Sequence, residues 1–263
     1  MKITLKDICF SYPSHDVLDG VTMEVGEGEI LSIVGPNGSG KSTLLKCMAR
    51  ILKPKNGTVF LDGKQADKIN SLDLAKMLGY VPQASAEVFQ STVLETVLMG
   101  RKPHLKWGVS NNDIDIIARV IQFTGIAELA ERHLDQLSGG QKQKVFIARV
   151  LAQEPEIFLF DEPTSSLDIR HQLEVLETVR QLVKHSKRTV IMVLHDLNLA
   201  SRFSDKIVML KNGRIFASGD PEAIITEENI SSVFGVVASV VESTCGPYVI
   251  PLRPVGEPVE VAK

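Results

Sequence analysis

Apolar and polar positions alternate over the first segments of the chain, at Ile3 and Leu5, at Ile8 and Phe10, and at Val21, Met23 and Val25. A period of two predicts half-buried β-strands. Thr58-Val59-Phe60-Leu61 runs into Asp62-Gly63, a hairpin signal, and Ile207-Val208-Met209-Leu210 runs into Ile215-Phe216-Ala217 around Asn212-Gly213, another. Ile30-Leu31-Ser32-Ile33-Val34, Ile157-Phe158-Leu159-Phe160 and Val190-Ile191-Met192-Val193-Leu194 do not alternate. Short continuous apolar runs are what buried parallel strands show. Helical spacing follows the first of these runs at Leu44, Met48, Ile51 and Leu52, and recurs at Ile114, Ile117, Val120 and Ile121 within a helical middle, 93–152. A helix at about 169–184 separates the last two runs, and strand, crossover helix and strand make an α/β core. Beyond Gly219-Asp220-Pro221 the pattern predicts a helix at 221–233, two short strands at 236–241 and 248–250, and a tail without period from Pro254.

Composition changes this picture little. The 263 residues are 44% hydrophobic and 23% charged, an ordinary balance for a globular protein. A net charge of −3 gives no global basic field to attract nucleic acid or anionic lipid. No apolar run approaches the roughly 20 residues that span a bilayer, and the N-terminal segment alternates like a strand and lacks a signal-peptide core. Cys9, Cys47 and Cys245 are scattered and odd in number, which suggests a reducing compartment and no metal-ligand spacing. Cys47 reads as a small packing residue.

The chemistry begins with Gly35-Pro36-Asn37-Gly38-Ser39-Gly40-Lys41-Ser42-Thr43, set between a strand and a helix. Glycines let the backbone turn its N–H groups onto a phosphate, and the following helix adds the positive end of its dipole. Lys41 would reach the β- and γ-phosphates and Ser42 would ligate Mg²⁺. The apolar run 157–160 ends in Asp161 and Glu162. Ligands of α/β sheets bind beyond the carboxyl ends of strands, so Asp161 would hold Mg²⁺ and Glu162 would act as general base or orient water. His195 ends the next apolar strand at a place suited to a γ-phosphate contact. Ser138-Gly139-Gly140-Gln141 has capping-box spacing. Its two glycines weaken a first helical turn, and make sense if that helix end approaches an anion closely. Two anion-binding helix ends then exist, and one nucleotide does not obviously reach both.

Together these motifs resemble the nucleotide-binding subunit of ABC transporters over about residues 1–220. Residues 35–43 match the Walker A loop, Gln83 in Tyr80-Val81-Pro82-Gln83 the Q-loop, residues 137–141 the signature, Asp161 and Glu162 the Walker B end, and His195 the switch histidine. Ser165-Ser166-Leu167-Asp168 is similar to the D-loop, with Ser166 where alanine is commoner, and Tyr12 matches the adenine-stacking aromatic. The resemblance implies a P-loop NTPase core of mostly parallel sheet, with an antiparallel β subdomain, an α-helical subdomain inserted at about 84–153, and a small C-terminal appendage, 221–263. It implies ATP and Mg²⁺ as ligands, with Gln83 sensing the metal and the γ-phosphate. It also implies a head-to-tail pair of chains in which Ser138, Gly139 and Gly140 bind the partner's ATP, which resolves the two-site problem, with Gln141 and Asp168 as further nucleotide-binding residues.

A finer resemblance rests on residues 93–104, Val93-Leu94-Glu95-Thr96-Val97-Leu98-Met99-Gly100-Arg101-Lys102-Pro103-His104, and on the short C-terminal appendage. Both look like the prokaryotic ATPases that drive uptake of iron–siderophores, haem or cobalamin. That implies polytopic permease subunits, an extracytoplasmic binding protein, and a peripheral place on the cytoplasmic face of the plasma membrane. Without the resemblance, Arg101, Lys102 and Trp107 read as surface residues of the helical subdomain. A soluble cluster-assembly ATPase and the ATPase of a separately encoded exporter are the alternatives. A repair ATPase would need a coiled-coil insertion and a translation-type member a second phosphate loop, and the sequence has neither.

Overall fold

The computed structural model describes residues 2–83, 91–106, 108–165 and 167–256. Trp107, Ser166 and the segment 84–90, where the helical subdomain is expected to begin, lie outside them, as does the tail 257–263.

The alternating N-terminal segments form β1 (Ile3–Tyr12) and β2 (His15–Val25), an antiparallel pair in which Tyr12 faces His15 across the turn. On the other side of β1 lie β4 (Asn56–Leu61) and, after the predicted Asp62-Gly63 turn, β5 (Lys64–Gln65). The continuous apolar runs form β3 (Ile30–Val34), β7 (Ile157–Asp161) and β8 (Thr189–Val193) in a second sheet. It also holds β6 (Leu78–Val81), β9 (Lys206–Lys211) and β10 (Arg214–Gly219), in the order β10-β9-β3-β8-β7-β6. All neighbours are parallel except β10, which returns antiparallel on β9 through Asn212-Gly213.

Each central strand feeds two cores. Ile157 and Leu159 join Leu31, Ile33, Ile191 and Val193 on the face covered by the antiparallel sheet, while Phe158 and Phe160 join Val190 and Met192 on the other. Burial on both faces is why these runs do not alternate. Cys47 is buried in the first core, where loss of water pushes its thiol up to about 11, in keeping with a packing role. The second core includes Ile224, Ile225, Ile230, Val233, Ala238 and Val249 from beyond residue 220. A third cluster holds together α3 (Val93–Met99), α4 (Asn111–Phe123) and α5 (Gly139–Ala152).

Several elements differ from the sequence reading. Helix α1 (Lys41–Met48) stops before Ile51, because Arg50 turns left-handed (φ 57°), and Ile51 is exposed. In α4 the inward stripe runs Asp113, Ile116, Ile117 and Ile121, so Ile114 faces solvent. The predicted helix at 221–233 is two helices, α8 (Pro221–Ile224) and α9 (Glu227–Phe234), divided where Thr226 caps the second. The predicted C-terminal strands pair as β11 (Val236–Ser243) and β12 (Gly246–Pro254), with β12 running on to Pro254, where the tail was expected to start. Helix α2 (Ser71–Met77), strand β6 and helix α7 (Leu197–Phe203) had no sequence expectation, being too short for a clear period. Helix α6 (Ile169–Ser186) matches its expected span closely.

Arg101 is no surface residue. Its guanidinium is buried, donating to Asp113 (2.8 Å), to the Ala152 carbonyl (2.7 Å) and to Glu154 (2.8 Å), so it ties the end of α3 to α4 and α5. Hydrogen bonds from the Ser110 side chain, from Arg101 and from the Ser110 backbone N–H hold the Asp113 carboxyl down at about 2. A carboxyl with a depressed folded-state value contributes stability above its unfolded value of about 3.9 and loses it as pH falls toward 2. Asp113→Asn is therefore expected to be less stable than the parent in urea at pH 6, with the gap narrowing steadily between pH 4 and pH 2.5. A pH-independent gap would show that the charge of Asp113 is not what matters.

Candidate active site

The order β3-β8-β7 sets three strand ends side by side: the glycine loop after β3, Asp161 and Glu162 at the end of β7, and His195 just after β8. The loop is held close to the sheet. Gly35 has φ 154°, and a Cβ there would lie 2.2 Å from the Leu210 carbonyl oxygen, so only glycine fits without moving β9. Gly40, left-handed at φ 102°, starts α1, whose free N–H groups then face the loop.

Lys41 is almost fully buried and folds across its own loop, donating to the carbonyls of Gly35 (2.8 Å) and Pro36 (3.0 Å). Burial lowers its pKa, while the charges of Glu162 and Asp161 act in the opposite direction. Ser42 donates to Asp161 at 2.7 Å, and Tyr80 donates to the other oxygen of the same carboxylate at 3.0 Å. Burial, then the Asp161 charge, pushes the Tyr80 phenol well up, so it stays a donor. Glu162 is buried, and its backbone sits in the left-handed region (φ 52°), a strained place for a side-chain-bearing residue. Its carboxylate accepts from the Gln83 amide at one oxygen and meets His195 Nε2 at 2.6 Å at the other. Ser165 closes the turn behind it, with both N–H and hydroxyl on the Glu162 carbonyl.

Beside this cluster opens a cleft of about 250 Å³, lined by Tyr12, His15, Asn37, Gly38, Lys41, Ser42, Thr43 and Glu162 among others. Tyr12 is partly exposed at its rim, edge-on to Phe10 and tilted against His15 at 5.7 Å. Pro36 and Ser39 complete the loop, and the buried Ser39 hydroxyl has no partner among the described residues. A hydroxyl and a carboxylate side by side, Ser42 and Asp161, are hard oxygen donors that suit Mg²⁺, which takes few protein ligands and completes its shell with water and phosphate oxygens. No denser cluster of metal ligands occurs among the described residues.

The signature residues stand elsewhere. Ser138 caps α5 in a full capping box, accepting from the Gln141 N–H (3.3 Å) and donating its own N–H to the Gln141 side chain (3.0 Å). A Cβ on Gly139 would meet nothing within 4 Å, while one on Gly140 would lie 3.0 Å from the His171 ring. His171 in turn contacts Asp168 at 2.8 Å, and Asp168 caps α6. The starts of α5 and α6 are thus joined through His171, and neither Asp168 nor residues 138–141 line the cleft.

The ABC transporter family pattern matches residues 18–165, more than half of the chain. The chain belongs to the ABC transporter family. An uncharacterised ABC transporter ATP-binding protein of Methanocaldococcus jannaschii is 47% identical over 96% of this chain and 98% of its own length. The ferric enterobactin transport ATP-binding protein FepC of Escherichia coli is 38% identical over 94% of this chain and 93% of its own. Among solved structures, the dimeric ATP-binding cassette MJ0796 in a post-hydrolysis state with ADP and phosphate superposes with a TM-score of 0.74 at 30% identity, over 83% of this chain and 98% of that one.

In this ABC ATPase the sequence missed His15 and Tyr80. His15 had one signal available, its place opposite Tyr12 across a two-residue turn. Tyr80 became visible only with β6, which sets it beside Leu159 two residues before Asp161. Among the described residues no helix is long and apolar enough to cross a membrane. Since a side chain at position 35 cannot coexist with the Leu210 carbonyl, Gly35→Ala is expected to weaken nucleotide binding at least about tenfold, measured with a fluorescent ATP analogue. Binding at parental affinity would show that the loop tolerates displacement from β9.

Proposed function

We propose that this chain is the ATP-hydrolysing subunit of a prokaryotic importer for an iron–siderophore, haem or cobalamin type of ligand. It works as a head-to-tail homodimer on permease subunits at the cytoplasmic face of the plasma membrane, with an external binding protein delivering the ligand. The observation that carries the hydrolytic part is the Glu162 carboxylate, gripped by Gln83 and His195 at the edge of the phosphate loop. The import part is supported by relatives such as the ferric enterobactin protein, aligned over nearly the whole chain.

Tyr12 stacks on the adenine, and residues 35–43 wrap the phosphates. Lys41 exchanges the Gly35 and Pro36 carbonyls for β- and γ-phosphate oxygens, which returns a counter-charge to a buried cation. Ser42, Asp161 and Gln83 would hold Mg²⁺, and the metal would neutralise charge on the phosphate oxygens. Glu162 accepts a proton from water as the water oxygen bonds to the γ-phosphorus and the bond to ADP breaks. His195 fixes the free rotation of that carboxylate, and in this reading it would also contact the γ-phosphate. Ser138, Gly139, Gly140, Gln141 and Asp168 close on the second protomer's ATP, so binding favours the closed pair. The permease would rest in an open groove of about 580 Å³, where Leu72 and Met99 are exposed beside Lys102 and Pro103.

Glu162→Gln keeps the shape of the site without the base. It is expected to bind ATP at near-parental affinity, to turn over about 10²–10⁴-fold more slowly, and to elute as an ATP-dependent dimer in size-exclusion chromatography. Undiminished turnover would remove Glu162 from the base role. Captured from native membranes with ATP and Mg²⁺, the same tagged variant is expected to bring down a polytopic permease. Recovery of soluble partners alone, from membranes competent for other transporters, would favour a soluble ATPase.

A further inference from the structure

His195 is followed at once by Asp196, which caps α7 by accepting from the N–H groups of Asn198 (2.8 Å) and Leu199 (3.0 Å). The start of α7 therefore helps to set where His195 stands, on the C-terminal side of the residue as β8 does on the N-terminal side. One flank of α7 is bound to the C-terminal hairpin through side chain to backbone contacts. The Asn198 amide donates to the Val249 carbonyl (3.2 Å) and accepts from the Val249 N–H (2.7 Å), pairing with β12 as a neighbouring strand would. One turn on, Ser201 donates to the Pro247 carbonyl (2.8 Å).

The rung that receives Asn198 is itself held from the far side. Val249 faces Val240 across the hairpin, and the outward N–H of Val240 donates to Glu227 at the start of α9 (3.1 Å). Helix α9 is fixed by Ile230 and Val233, buried in the main core. A continuous path thus runs from the core through α9, β11 and β12 to Asn198. Between the His195 segment and the hairpin lies a cleft of about 300 Å³, bordered by His195, Asp196, Asn198, Phe234, Val236 and Val249. In that gap the Asn198 amide is the polar strut, set against mostly apolar walls.

We propose that Asn198 is a positioning residue for hydrolysis: seated on the Val249 backbone, it fixes the start of α7 so that His195 meets Glu162. The proposal rests on the role given above to His195 and Glu162. It makes the hairpin, which lies outside the span 18–165 matched by the family, a working part of the catalytic arrangement.

The test is a double-mutant cycle on steady-state ATP hydrolysis by the full chain. Asn198→Ala is expected to lower kcat about tenfold, with KM for ATP and the melting temperature close to the parent's. In a His195→Ala background, the same change is expected to lower kcat by less than about twofold, because there is no histidine left to position. Equal losses in both backgrounds, an undiminished kcat, or a loss confined to KM would overturn the proposal. If His195→Ala alone leaves turnover intact, the failure belongs to the histidine's assigned role. Should Asn198→Ala melt well below the parent, Asn198→Asp keeps the acceptor for the Val249 N–H and carries the same cycle, with the same outcomes deciding.

Discussion

Strand β8 lies between β3 and β7 and is hydrogen-bonded to both, and the meeting of the glycine loop, the paired carboxylates and His195 depends on that arrangement. Parallel strands deliver their carboxyl ends to one edge of a sheet, and three adjacent ends supply the phosphate loop, the paired carboxylates and the histidine. Chemistry scattered over residues 35 to 195 is thereby gathered without any long-range pairing of loops. The same sheet demands apolar side chains on both faces, so the strands that carry the site are also those with the plainest apolar runs.

The charged groups of the site are partnered within the protein. Lys41 rests on loop carbonyls, Ser42 on Asp161, and Glu162 between Gln83 and His195. A buried lysine with only neutral acceptors is an unfavourable arrangement, and on the proposed reading a phosphate would relieve it.

The fold was legible wherever periodicity and motif agreed. The strands β3, β7 and β8, the hairpins at Asp62-Gly63 and Asn212-Gly213, and α6 follow from apolar runs and turn residues. Errors arose where a side-chain contact overrode the pattern. Asp113 takes an inward position in α4 because Arg101 awaits it, which turns Ile114 outward; no hydrophobicity count finds a carboxylate in a core. Arg50 ends α1 by its backbone conformation, which composition does not encode. In the site, residues within motifs were visible, while Tyr80, which depends on a strand neighbour, became visible only with the sheet register. The bond between His171 and Asp168, and the seat it gives Gly140, link two helices that sequence treats separately.

Arg101 has a mechanical meaning. One planar cation at the junction of α3, α4 and the end of α5 holds three rods at a common node, and a node of short, buried, directional bonds bends far less than the irregular chain around it. The three helices α3, α4 and α5 are thereby braced against one another as one plate. If a partner pressed on Met99 and Lys102, the displacement would travel along α5 to its far end, where Ser138 and Gly139 stand.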